Sequence, residues 1–164
     1  MLAKLNILKH PNITELLGSY TLGDKLNLLF PLAFRSLGSY FKTGELSLAG
    51  FPDNSSVIFA VAGLASALQA LHLYRSEDVS LIGCHHDIKP DNILVMDGKL
   101  VLSDFGLSTL KEGVHSDTYL RFGQGFYLAP ETEDCDDNFA RHRIGRPSDI
   151  WSLGCVLMEL MVFM

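Results

Sequence analysis

Cysteine is scarce and unpatterned. Cys84, Cys135 and Cys155 are odd in number and lack Cys-x-x-Cys spacing. A disulfide framework or a zinc site is therefore not indicated, and a reducing compartment fits better. Excess positive charge is lacking too: the net charge of −6 offers no basic footprint for nucleic acid or an anionic membrane. The N-terminus has no long apolar core, so no secretory signal is read there. The most apolar stretch, Ile150 to Met164, is broken by Glu159 and falls short of the roughly 20 residues a membrane span needs. No internal repeat and no low-complexity tract occurs. What remains is 164 residues, 48% hydrophobic and 20% charged, which suits one domain with a real core. These features predict a soluble intracellular domain, cytoplasmic or nuclear, and name no function.

Residues 1–9 read as the last turns of a helix carrying Leu2, Leu5 and Leu8, ended by His10-Pro11-Asn12. Ile13 to Tyr20 and Leu26 to Leu32 read as two short strands around a turn at Gly23-Asp24. Gly38, Gly44, Gly50 and Pro52 mark a loop-rich connection. Ser56 to Leu73 is the clearest helix, because Val57, Val61, Leu64, Leu68 and Leu71 recur at helical spacing after N-cap candidates at Asp53 to Ser56. A polar connection follows. Ile93-Leu94-Val95 and Leu100-Val101-Leu102 flank Asp97-Gly98, a strong hairpin signal. From about Asp149 a second helix runs to the end. Its apolar Ile150, Leu153, Val156, Leu157, Leu160 and Met161 predict burial on most sides. An apolar helix without a stop signal predicts a neighbour outside the chain.

The informative block is His85-His86-Asp87-Ile88-Lys89-Pro90-Asp91-Asn92, with Asp104-Phe105-Gly106 beyond a short hairpin. Two carboxylates and an amide on either side of a hairpin can converge on one point. Phosphoryl transfer needs such a point, where a divalent metal neutralises phosphate charge and a carboxylate orients the attacking hydroxyl. In that chemistry Asp104 and Asn92 bind magnesium, Asp87 is the base, and Lys89 contacts the phosphoryl group as a point charge.

At these residues the sequence closely resembles eukaryotic protein kinases. The octapeptide at 85–92 matches their H-R-D-L-x-x-x-N loop, Asp104-Phe105-Gly106 matches D-F-G, and Ala129-Pro130-Glu131 matches A-P-E. Asp149-Ile150-Trp151-Ser152-Leu153-Gly154 is similar to the family's helix whose aspartate braces the catalytic loop, and Lys89-Pro90 is typical of the serine/threonine branch. The resemblance runs from the end of the family's αC helix through its αF helix. It implies an α+β fold, with an N-lobe remnant and hinge over 1–33 and a mostly helical, incomplete C-lobe over 34–164. It also implies phosphorylation of protein serine or threonine with ATP and Mg2+. Phe30 would be the gatekeeper, Pro31 and Ala33 would carry the hinge carbonyl and amide, and Leu94 would lie under the adenine. Leu5, Leu16, His85 and Phe105 would stack as the regulatory spine.

Several departures accompany the match. The glycine-rich loop and its lysine would precede residue 1, and the αC glutamate falls at Met1, so a truncated kinase is expected. The arginine that pairs with the A-P-E glutamate is also absent, leaving Glu131 without it. His86 replaces the arginine that grips a phosphorylated activation loop, so phosphorylation of Ser116, Thr118 or Tyr119 is not expected to be the main switch. Gln124 stands where the family has threonine. Asp149 reads as a brace, and the acidic run Glu131 to Asp137 as a solvated loop. The alternative reading is a non-catalytic regulator that binds partner proteins, including kinases. A small-molecule phosphotransferase shares a similar catalytic loop, but Ala129-Pro130-Glu131 and the motif at 149–154 speak against it.

Overall fold

The computed structural model describes residues 8–45, 50–75, 80–112, 118–119, 125–132 and 143–164. The helical reading of residues 1–7, with Leu2 and Leu5, lies outside them. So do Ser116, Gln124, Cys135 and the acidic residues Glu133, Asp134, Asp136 and Asp137.

The chain opens with a hairpin of β1 (Gly18–Leu22) and β2 (Lys25–Leu29), in which Leu22 faces Lys25 across the two-residue turn. Gly23 takes a φ of 59° there, a conformation that costs glycine little. The strands begin and end earlier or later than expected: Ile13 makes only a parallel bridge to Leu102, and residues from Phe30 onward form an irregular link.

The connection expected to be all loop contains β3 (Arg35–Ser36) and a helix, α1 (Leu37–Thr43). Ser36 caps its start by accepting from the Ser39 amide, and Gly44 ends it at φ 66°. Gly38 lies inside this helix because a Cβ there would meet an Asp91 carboxylate oxygen at 2.5 Å. The helix therefore packs directly on the segment that carries the octapeptide.

α2 (Asn54–His72) matches expectation. Asp53 accepts from the Ser56 amide, while Ser56 Oγ lies 3.4 Å from the Asp53 amide, completing a reciprocal cap. Its buried stripe of Val57, Ala60, Leu64, Ala67, Leu68 and Leu71 forms the middle of the core. By length and apolarity this helix could span a membrane, but that stripe is spent on packing against β-structure from later in the chain.

The expected polar connection holds β4 (Tyr74–Arg75) and β5 (Ser80–Cys84), which pair with each other; β5 also pairs with the later β8 (Thr109–Glu112). Between them lies the predicted hairpin, β6 (Ile93–Met96) and β7 (Lys99–Leu102), with β3 on its outer edge. Asp97 and Gly98 have φ of 46° and 69°, the positive pair that a tight two-residue hairpin favours. Ile93, Val95 and Leu100 have no exposed surface, and burial of each side chain stabilises the fold by about 1.5–3 kcal/mol. The short β9 (Thr118–Tyr119) and β10 (Arg143–Ile144) pair antiparallel.

The last helix, α3 (Arg146–Phe163), starts three residues before the expected Asp149. Burial on most sides does not hold. Asp149, Ser152, Leu153, Val156 and Leu160 form one buried stripe, whereas Ile150, Trp151, Met158, Met161 and Val162 are exposed. Among the described residues, only the inner face of this helix meets the core.

Candidate active site

Two left-handed residues frame the site. His86 and Asp104 have φ of 68° and 57°, values that cost a side-chain-bearing residue free energy and so need support from their surroundings. At His86 the support is Asp149. Its carboxylate is almost fully buried and accepts from the His85 and His86 amides, each at 2.8 Å, and from His72 Nε2 at 2.8 Å. Burial pushes the Asp149 carboxyl up, but the bond from His72 and the two amide bonds outweigh it and hold the group below the usual carboxylate range. The expected brace is thus present, built from α3 to the backbone of His85 and His86, with α2 contributing His72.

His85 is wholly buried beside the Phe105 ring, with centroids 4.8 Å apart. Its Nε2 lies 3.0 Å from the Ser103 carbonyl, which can only accept, so Nε2 carries the proton. Nδ1 is then free to accept from the Asp87 amide at 3.3 Å. Burial lowers the His85 pKa, in keeping with this neutral tautomer. The imidazole therefore ties Asp87 to the residue before Asp104. His86 is buried rather than solvated, with Nε2 3.0 Å from Thr109 Oγ1 on β8.

The octapeptide's polar groups converge. Lys89 Nζ donates to both Asp87 carboxylate oxygens at 2.9 and 3.0 Å, and Asn92 Nδ2 donates to Asp87 Oδ2 and to its carbonyl, both at 2.8 Å. Ser103 closes the ring across the hairpin, its amide and hydroxyl both donating to the Asn92 carbonyl at 2.9 Å. Asp104 follows directly, exposed, with Oδ1 accepting from the Gly106 amide at 3.2 Å. Asp87, Lys89 and Asn92 thus form one hydrogen-bonded unit, and Asp104 follows Ser103, which that unit holds through the Asn92 carbonyl.

Beside them is a cavity of about 350 Å³ lined by Thr14, Leu28, Phe30, Leu94, Ser103, Asp104, Phe105 and Gly106. Phe30 and Leu94 therefore share one wall system with Asp104. Pro31 and Ala33 lie in the half-exposed link after β2 and do not line this cavity. Leu16 is half-buried before β1, and Leu5 lies outside the described residues.

The donor set suits magnesium better than zinc. Among the described residues no three His, Cys, Asp or Glu side chains cluster to hold a metal. Asn92 commits its nitrogen to Asp87, so its oxygen would be the atom left for a cation, to which Asp104 would add one carboxylate. With phosphate oxygens added, one carboxylate and one amide oxygen would make a hard oxygen site of the kind magnesium accepts in nucleotide complexes.

A family model described as protein kinase domain matches residues 1–163. The chain belongs to the protein kinase family. Among curated relatives, it is 32% identical over 163 residues to the probable serine/threonine-protein kinase glkA of Dictyostelium discoideum, covering 96% of this chain and 30% of that protein. It is 33% identical over 153 residues to mitogen-activated protein kinase kinase kinase 8 of Rattus norvegicus, covering 93% of this chain and 29% of that protein. The chain thus spans less than a third of the length of either relative. The fold matches the crystal structure of the yeast RNA Pol II CTD kinase CTDK-1 complex with a TM-score of 0.75 at 24% identity, covering 99% of this chain and 49% of that one.

For a kinase-family chain, the residues that carry no motif of their own are the informative additions. Ser103, Ser108 and Thr109 hold Asn92, His85 and His86 by hydrogen bonds, Ser108 Oγ donating to the His85 carbonyl at 3.2 Å, while His72 holds the bracing carboxylate of Asp149. Ser103 and Ser108 flank Asp104-Phe105-Gly106, so position relative to that tripeptide was the one available signal.

Proposed function

We propose that this chain carries the phosphotransfer centre of an intracellular protein serine/threonine kinase that uses Mg-ATP. The region spans the end of the family's αC helix through αF, with residues 1–33 as N-lobe remnant and hinge and 34–164 as incomplete C-lobe. One observation supports the reading: Lys89 and Asn92 both clamp Asp87, while the Asn92 carbonyl holds Ser103, the residue before Asp104.

In this reading Asp87 orients the substrate hydroxyl and takes its proton, which contributes about 10²–10⁴-fold in such reactions. Lys89 is already an ion-pair partner of Asp87 and serves as the point charge for the phosphoryl oxygens. Asn92 and Asp104 hold Mg2+, which when bound neutralises charge on the nucleotide phosphates. Phe30 and Leu94 supply apolar walls for the base, and the Pro31 carbonyl and Ala33 amide, outside that cavity in this structure, are the hinge groups of this reading.

The test is transfer of labelled γ-phosphate to a mixed protein acceptor by the longest natural form of the protein, followed by phosphoamino-acid analysis. Phosphoserine or phosphothreonine is expected, dependent on magnesium; phosphotyrosine alone would overturn the substrate class. The exposed apolar face of α3 favours a second reading, a non-catalytic module that binds a partner protein or kinase. No transfer under any metal, together with a stable complex through that face, would decide for it.

A further inference from the structure

Beyond Asp104-Phe105-Gly106 the chain turns back onto the loop it has just left. Ser108 Oγ donates to the His85 carbonyl at 3.2 Å, and His86 Nε2 lies 3.0 Å from Thr109 Oγ1. Thr109 opens β8, where it pairs with Cys84, the residue before the octapeptide. Ser108 and Thr109 thus meet His85 and His86 in succession.

The His86 ring is the part of this contact that can change. It is 8% exposed, and its other nitrogen, Nδ1, is buried with no hydrogen-bond partner among the described residues. With the proton on Nε2, the ring donates to Thr109 and leaves only a lone pair unpaired. The other neutral tautomer would bury an unpaired N–H, the rarer arrangement in proteins. A charged ring carries both protons and buries that N–H in any case. Such a ring is stable only outside this pocket, and leaving the pocket breaks the bond to Thr109.

Burial is the largest influence on the ring and disfavours its charge. Asp149 on α3 favours the charge, whereas His85 on the same loop, Lys111 on β8 and His72 on α2 oppose it. The Asp149 oxygens already accept from His72 and two backbone amides, and neither is within bonding reach of Nδ1. The ring therefore stays neutral until the pH falls below the ordinary histidine value of 6.5.

We infer that His86 is a positioning residue whose neutral ring pins the segment after Asp104-Phe105-Gly106 to the loop carrying Asp87, and whose protonation releases that segment. The inference deepens the phosphotransfer reading and rests on it for the catalytic meaning of that loop. Asp149, held below the usual carboxylate range, keeps its charge and its grip on the loop backbone. The latch therefore opens before the fold does.

Hydrogen exchange of the full chain without nucleotide or metal, read by mass spectrometry, tests this. Exchange at the histidine ring carbons gives the His86 pKa. Amide exchange over residues 107–112, corrected for its intrinsic pH dependence, reports the latch. Protection of β8 is expected to fall with the His86 midpoint between about pH 7.5 and about pH 5.5, while α2 stays protected. His86→Gln keeps a side-chain donor and does not titrate, so it should hold β8 and abolish the pH response. Thr109→Val removes the partner hydroxyl. It should lower β8 protection at about pH 7.5 by about three- to tenfold, the range for one net hydrogen bond, and also abolish the response. Protection of α2 verifies that each variant is folded, and the valine variant decides if the glutamine variant is not. Protection of β8 that ignores the His86 midpoint, or a pH response that survives either substitution, would overturn the inference. A latch in a protein that never transfers phosphate would sink the proposed function and leave this inference standing. Magnesium-dependent transfer with β8 indifferent to His86 would do the reverse.

Discussion

Removing the Asp149 carboxylate would strand two backbone N–H groups, those of His85 and His86, inside the protein. Asp149→Ala is expected to destabilise the fold by several kcal/mol, about 1–3 kcal/mol for each buried amide left unpaired. Asp149→Asn keeps one oxygen and should cost less. Denaturant unfolding checks both, and a loss below about 1 kcal/mol for alanine would contradict the brace. The same loop predicts a pH response. His85 and His86 are buried, and burial lowers both pKa values from 6.5. The unfolded chain then takes up protons that the folded chain refuses, so stability is complete above pH 6.5 and falls as pH drops below it. One pH unit lower, each histidine that stays neutral removes up to about 1.4 kcal/mol. Unfolding midpoints at pH 7.5 and 5.5 test this, and a flat profile would contradict it.

At the scale of elements, legibility followed signal length. The nineteen residues of α2 gave several turns of apolar period and an Asp53 cap, and both appear in the structure. The β6–β7 hairpin was legible because Asp97-Gly98 leaves few other turns open. α1 was hidden: its seven residues are too few for a period, and Gly38 and Gly44 read as punctuation. One of those glycines is instead a packing requirement against Asp91, the other a cap. β5 was hidden because Leu81 to Cys84 is buried on both faces and shows no alternation, and its partner β8 lies far along the chain. The hairpin carries its own prediction. Gly98→Ala would force a side chain to φ 69° with its Cβ 2.9 Å from the Gly50 carbonyl oxygen. A loss of about 1–2 kcal/mol is expected, whereas Asp97→Asn should be near neutral. Chemical denaturation of both variants separates turn strain from loss of charge, and equal effects would contradict the account.

Across the whole molecule, the apolar outer face of α3 is the largest departure from expectation. Trp151, Met158, Met161 and Val162 stand 49%, 72%, 76% and 89% exposed, so this helix offers a contiguous sticky surface. The 164-residue chain is expected to self-associate at micromolar concentration, and Met161→Lys with Val162→Lys should reduce that association in sedimentation experiments. A monomeric chain with a sharp, reversible thermal transition would contradict this. The candidate site was legible at the level of its four polar residues, since the octapeptide and Asp104-Phe105-Gly106 occur together at a fixed spacing. What holds them was not legible. His72, Ser103 and Thr109 act through hydrogen bonds between segments that only the fold brings together.

The central claim is that Asp87, Lys89, Asn92 and Asp104 form one phosphotransfer unit. Its most direct test compares magnesium-dependent γ-phosphate transfer by the longest natural form of the protein with that of its Asp104→Asn variant, which keeps size and removes the metal-binding charge. The account predicts transfer by the unaltered protein and none above background by the variant, with both equally folded. Undiminished transfer by Asp104→Asn would contradict it.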